Sequence, residues 1–239
     1  MLSSAEDPDN CALDDLLDRY GLLLREVDTW FGECLSRYPR QIACHKGCSA
    51  CCRGLFDITL LDALHLKRGF DRLDQPLRNR IISAANQRLQ SLSAVIPAFA
   101  EPWLLNTIPE EQWGELMPED DQTPCLLLSE DGQCLVYDQR PMTCRLNGIP
   151  LIDTSGEELF DDWCTLNFVS NNPRRLAGLR FAFNQLFAQE LLLFHELTRR
   201  LTGRAISEAD LFIPAAVVLD LEKIVAVVRN FEGAGEGKR

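Results

Sequence analysis

From Leu13 to Tyr38, apolar side chains recur at Leu13, Leu17, Tyr20, Leu24, Val27 and Phe31. Steps of three and four put them on one stripe and predict an amphipathic helix, which Pro39 ends. Cys34 continues the stripe and reads as a small buried hydrophobe, and Cys11, just ahead of it with no thiol nearby, is read the same way. Asp57 or Thr59 can cap a second helix reaching about Phe70. A third follows Pro76, with Leu77, Ile81, Ile82, Ala85, Leu89, Leu92 and Val95 at helical spacing. Residues 97–124 are rich in Pro, Glu and Asp and predict a long connection holding one short helix.

Cys125-Leu-Leu-Leu and Cys134-Leu-Val-Tyr flank a turn at Asp131-Gly132, which predicts a short β-hairpin. Arg140-Pro141 then opens a helical turn carrying Cys144. Leu176, Leu179, Phe183, Leu186, Leu193 and Leu197 predict a helix from Arg174 to Arg200, with Pro173 suited to its first turn. A last helix is expected from Ser207 to about Asn230, kinked or shifted in its start by Pro214, and the charged Gly-rich tail 233–239 is expected to be disordered. The fold class is therefore mainly α: a helical domain with a small cysteine-rich β-hairpin and loop metal site. The expected division is an N-terminal helix over 1–39, a cysteine-cluster domain over 40–165, C-terminal helices over 166–232 packing on it, and the tail.

Composition narrows the setting. With 239 residues, 46% of them hydrophobic, the chain can build a core without disulfides. Met1 to Asn10 lacks the basic and apolar regions of a signal peptide, and the longest uncharged apolar run near the C-terminus, Leu211 to Leu219, is too short to span a bilayer. A cytoplasmic protein without a membrane segment is expected, and there clustered cysteines point to metal or redox chemistry. A net charge of −12 argues against a nucleic-acid partner. Arg174-Arg175 and Arg199-Arg200 read as surface charges at the two ends of one helix.

Eight of the ten cysteines fall into two groups. Cys44, Cys48, Cys51 and Cys52 lie within nine residues; Cys125, Cys134 and Cys144 form the second group, with Cys164 following. Thiolates are soft donors suited to zinc, copper(I) and iron–sulfur clusters, and Gly47 permits the positive φ that a wrapping loop needs. Eight sulfurs allow one four-thiolate site with spares, or two such sites. Cys51 and Cys52 project to opposite sides of an extended segment, so they serve different centres, or one binds while the other packs. Ligation and core packing beside Trp163 are both open for Cys164. Arg53, Arg140 and Arg145 are candidate donors beside the cofactor, offsetting thiolate charge. His45 reads as an exposed loop residue, and His65 and His195 as satisfied or surface histidines. Glu157-Glu158 and Asp161-Asp162 read as a solvated acidic face. No Ser/His/Asp order, phosphate loop or dinucleotide fingerprint is visible.

At these residues the chain resembles the bacterial YkgJ-like cysteine-cluster proteins, the CxxCxxCC group described as zinc- or iron-chelating. The resemblance rests on Cys44, Cys48 and Cys51-Cys52, then Pro124-Cys125, Gly132-Gln133-Cys134, Val136-Tyr137, Arg140-Pro141 and Cys144-Arg145, with Ile58-Thr59-Leu60 after the double cysteine. It covers about residues 40–147, and it departs in one place: the first gap holds three residues instead of two. A related resemblance is to the cysteine-rich region of flagellin lysine methylases, which is associated with an iron–sulfur cluster; no nucleotide loop supports transfer of the methylase activity. The spacing Cys44-x3-Cys48-x2-Cys51 also occurs in radical-SAM enzymes, but the β/α alternation of their barrel does not follow here. These resemblances imply a metal-binding protein that holds an iron–sulfur cluster, of 4Fe–4S type, or zinc. It would serve as a binding or delivery module whose protein partner docks on the helices. The alternative is a redox or transferase enzyme using the cluster or a spare thiol; the sequence leaves open whether the chain is an enzyme.

Overall fold

In the computed structural model the described residues are 8–118 and 120–231, with side chains from Ala12 onward. The expectations for the acidic N-terminus up to Asp7, for the side chain of Cys11 and for the 233–239 tail lie outside them. The first stripe folds as α1 (Pro8–Arg37), with Leu17, Tyr20, Leu24, Val27 and Cys34 buried along one face. A short strand, β1 (Asp57–Thr59), leads into α2 (Leu60–Phe70), where the Thr59 side chain caps the helix by accepting from the Asp62 amide. Helix α3 (Gln75–Val95) is capped by Asp74, has Pro76 in its first turn, and buries Ile81, Ala85, Leu89 and Leu92. The 97–124 connection holds one short helix, α4 (Trp113–Leu116), and 3-10 turns at Leu105–Thr107 and Glu110–Gln112.

Three expectations are corrected. The predicted hairpin at Cys125–Tyr137 is only a turn closed by a single Leu128–Cys134 bridge, because its first arm pairs with the earlier cysteine loop instead of extending its own ladder. The only sheets among the described residues lie elsewhere, each of two antiparallel strands. After the short helix α5 (Met142–Leu146), β2 (Leu151–Ile152) pairs with β3 (Glu158–Phe160).

The helix predicted from Arg174 starts late, as α6 (Phe183–Thr202), so Arg174-Arg175 does not mark one of its ends. Residues 173–182 instead cross the end of α1: the Trp30 indole donates to the Leu179 carbonyl at 3.0 Å, and a Cβ on Gly178 would stand 2.5 Å from the Tyr38 hydroxyl. Asp153 then accepts from the Asn184 amide at 3.0 Å and opens α6.

The last predicted helix is three elements: β4 (Asp210–Phe212), paired with β1, then α7 (Ile213–Val217) and α8 (Leu221–Val228). Every residue of α7 is buried, packed between α2 and α3, so the stretch has no polar face for periodicity to reveal. Apolar residues of these helices form one continuous core, and the cysteine loops sit on its edge. No helix among the described residues is long and apolar enough to cross a membrane.

Candidate metal centre

Once α1 ends, Ile42 anchors the chain in the core and the first cysteine loop begins. Two tight turns shape it: the Cys48 amide donates to His45 O at 2.9 Å and the Cys52 amide to Ser49 O at 3.1 Å. Gly47 takes φ of 92°, the positive value its sequence position suggested. The second segment is zipped to this loop through the backbone. Cys125 N donates to Cys52 O at 3.0 Å, Gly54 N donates to Thr123 O at 2.9 Å, and Arg53 bridges Pro124. Residues about 70 positions apart in sequence thus lie side by side. Helix α5 brings Cys144 to the same place, held by buried Met142 and Leu146.

Six thiols, those of Cys48, Cys51, Cys52, Cys125, Cys134 and Cys144, line a cavity of about 70 Å³. Its walls hold no His, Asp or Glu, and Arg140 is its one charged residue. Cys44 and Cys164 meet on the other side of the loop. A Cβ on Gly148 (φ of 108°) would lie 3.2 Å from Cys44 Sγ and 3.8 Å from Cys164 Cβ, so only glycine lets the backbone pass between them. Buried Asn167 ties this corner together: its Nδ2 donates to Gly148 O at 2.6 Å and to Cys44 Sγ at 3.2 Å, and its Oδ1 accepts from the Ala43 amide at 2.8 Å. Asn167 has no sequence signal beyond standing three residues after Cys164. Among the described residues, no three His, Cys, Asp or Glu side chains are close enough to hold one ion as they lie. The all-sulfur donor set fits a thiophilic metal, while its spacing calls for the thiols to draw inward around one.

A family model described as "CxxCxxCC: Putative zinc- or iron-chelating domain" matches residues 43–165, a span that takes in all eight clustered cysteines. The chain belongs to this CxxCxxCC family. No curated protein and no solved structure matches it.

The electrostatics of the CxxCxxCC thiols divide them. Burial pushes Cys125 up to about 11 and raises Cys144, Cys134 and Cys44 as well. Cys51 is raised by holding its proton against Cys52, and the same contact lowers Cys52. Cys52 feels the charges of Cys125, Cys134 and Cys144, whereas Cys44 feels those of Cys164, Cys48 and Cys51. The nine cysteines with described side chains are all free thiols. Buried thiols without a cation keep their protons, and a metal replaces those protons.

The three candidate arginines have different positions. Arg140 lines the thiol cavity, with its guanidinium 3.9 Å from the Tyr137 ring centroid. Arg145 is buried, and its donors are committed to Arg140 O at 2.9 Å, Asp138 O at 2.6 Å and the Asp28 carboxylate; it reaches the thiols by charge alone. Arg53 is exposed. His45 is exposed, with Nδ1 on Lys46 O at 3.0 Å. His65 is neither at the surface nor satisfied: it is 7% exposed with no partner on either ring nitrogen, edge-on to Tyr20, and burial lowers it to about 4. Glu157-Glu158 and Asp161-Asp162 are exposed, and Arg174 pairs with Glu158 and Asp161.

Proposed function

We propose that the chain binds an iron–sulfur cluster through its two cysteine groups and serves as a binding or delivery module. One observation carries this reading: thiols from three separated stretches line a single cavity that offers no oxygen or imidazole side chain of His, Asp or Glu. Cys52, Cys125, Cys134 and Cys144 make one set of four, the number of thiolates that holds a 4Fe–4S cluster. Cys44, Cys48, Cys51 and Cys164 make a second set, which gives the adjacent Cys51 and Cys52 different centres. A bound cluster supplies one-electron chemistry, and Arg140 offsets part of its negative charge.

Zinc is the second reading, and the cavity's size favours it. A space of about 70 Å³ is roughly the share of two waters in the liquid, ample for one ion. Four thiolates are also a common structural zinc set. Anaerobic purification with metal analysis and an absorption spectrum separates the two. Broad visible absorbance bleached by dithionite, with iron and sulfide present, is the expected result. A colourless protein with stoichiometric zinc assigns the site to zinc, and a protein that takes up neither metal on reconstitution overturns both.

A further inference from the structure

Next to the thiol pocket lies a second cavity of about 640 Å³, with Phe56 and Asn147 in the walls of both. Five carboxylates line it: Asp57, Asp62, Asp162, Glu190 and Asp210. No Lys, Arg or His does, and among the described residues none of the five is in an ion pair. The three most buried come from different elements, α2, α6 and β4, yet reach one end of the space. Asp62 is 2% exposed; its Oδ1 accepts from the Tyr20 hydroxyl at 2.7 Å and the Met142 amide at 2.8 Å, and the Thr59 amide also bonds to its carboxylate. The Tyr20 oxygen also lies 3.0 Å from Glu190 Oε1, its single proton shared by the two carboxyls, and Asn106 Nδ2 donates to Asp210 Oδ2 at 3.0 Å. Glu190 Oε2 and Asp210 Oδ1 have no hydrogen-bond partner among the described residues. The rest of the lining is largely apolar, with Phe160, Trp163 and Phe187 prominent.

We propose that this cavity binds a small organic cation, an ammonium group seated among Asp62, Glu190 and Asp210 with its apolar body against Trp163 and Phe187. Buried carboxylates are costly unless a counter-charge or proton satisfies them, and the walls provide no counter-charge. An ammonium provides it, with N–H donors for the free oxygens of Glu190 and Asp210. The volume lies in the range of small-molecule pockets, and the apolar walls select a ligand with a hydrocarbon or aromatic portion. Burial raises all three carboxyls, Asp210 to about 6, as expected of buried acids with no ion-pair partner. Cys164, a candidate ligand, also lines this cavity, but the inference rests on the three carboxylates, none of which is in the thiol set.

Isothermal titration of the full chain with hexylamine, phenethylamine, hexanol and hexanoate tests it, run on the protein as purified and again after chelation. The expected result is one amine per chain in both samples, with hexanol at least about tenfold weaker and hexanoate silent. Glu190→Gln and Asp210→Asn should each weaken amine binding by about tenfold or more, with folding checked by circular dichroism. Should either variant fail to fold, Leu159→Trp decides, because it fills the cavity while leaving every carboxylate in place and should abolish binding. The inference is overturned if no amine binds, if hexanol matches hexylamine, or if folded carboxylate or filled-cavity variants bind like the parent. Amine binding that survives chelation keeps it intact even where metal uptake fails.

Discussion

The two adjoining cavities are both rich in acidic groups, and they differ in how that acidity is balanced. In the thiol pocket the donors are sulfur, the space is about 70 Å³, and Arg140 stands in the wall with its guanidinium over Tyr137. In the carboxylate cavity the donors are oxygen, the space is about 640 Å³, and no basic side chain lines it. A thiol near its ordinary pKa is neutral at physiological pH, so the first pocket can wait protonated until a metal displaces the protons. A carboxyl must be held neutral by burial or met by a positive charge from outside. The first pocket therefore selects a soft metal, and the second selects protons or an organic cation.

Metal removal should have the largest effect, and only on the first pocket. Apparent binding energies of structural zinc are about 10–16 kcal/mol, and a protein of this size shifts in Tm by about 2–4 °C per kcal/mol. Even a third of that energy predicts a fall of about 7 °C or more when a chelator strips the purified protein, read by calorimetry. Glu190→Gln should leave metal content unchanged. An unchanged Tm after complete metal removal would break the contrast, because the two thiol segments would then be held together by backbone bonds and packing alone.

A somewhat smaller effect is expected from Asn167→Leu. The change deletes the bonds to Ala43, Gly148 and Cys44 and leaves the buried Gly148 carbonyl unpaired, for a cost of about 2–4 kcal/mol. Denaturant melts give that number, and metal analysis sharpens it. If Cys44, Cys48, Cys51 and Cys164 form a set of their own, the variant loses their metal and keeps that of Cys52, Cys125, Cys134 and Cys144. Uniform retention or uniform loss means the eight thiols act as one centre.

The parts of this design that sequence revealed are those with a local cause. The stripe through Leu17, Tyr20 and Leu24, the Thr59 cap and the thiol spacing around Gly47 each depend on neighbours a few residues away. So do the two cysteine groups as groups, six of whose thiols line one cavity. What periodicity could not carry was set by distant contacts: the unwinding of 173–182 by Trp30 and Tyr38, and the replacement of a hairpin ladder by pairing of Cys125 with Cys52. Asn167 and the carboxylate cavity were invisible for the same reason. Asp62 and Glu190 read as ordinary polar positions on two helices until Tyr20, on a third, hydrogen-bonds to both.

That shared tyrosine sets up the subtlest prediction, a dependence of stability on pH that belongs to the carboxylate cavity. Burial raises Asp62, Glu190 and Asp210, the last to about 6, whereas exposed carboxyls titrate near about 4. Between those values the native state holds protons that the unfolded chain has released, so stability must fall as pH rises. The contribution is whole below about pH 4 and is lost as pH passes through the folded values. Buried His65, lowered to about 4, adds stability as pH rises towards about 6.5, and the Cys52 thiol is lowered too, so the share of the carboxylates is read as the difference in Tm between the metal-free parent and Glu190→Gln from about pH 5 to 7.5. Glu190→Gln should flatten the slope and raise Tm at the alkaline end, and saturating hexylamine should do the same in the parent by supplying the missing charge. A parent and a Glu190→Gln variant whose Tm changes in parallel across this window would mean that the carboxyls are ionised and satisfied in the native state, and the distinction between the two cavities would fall.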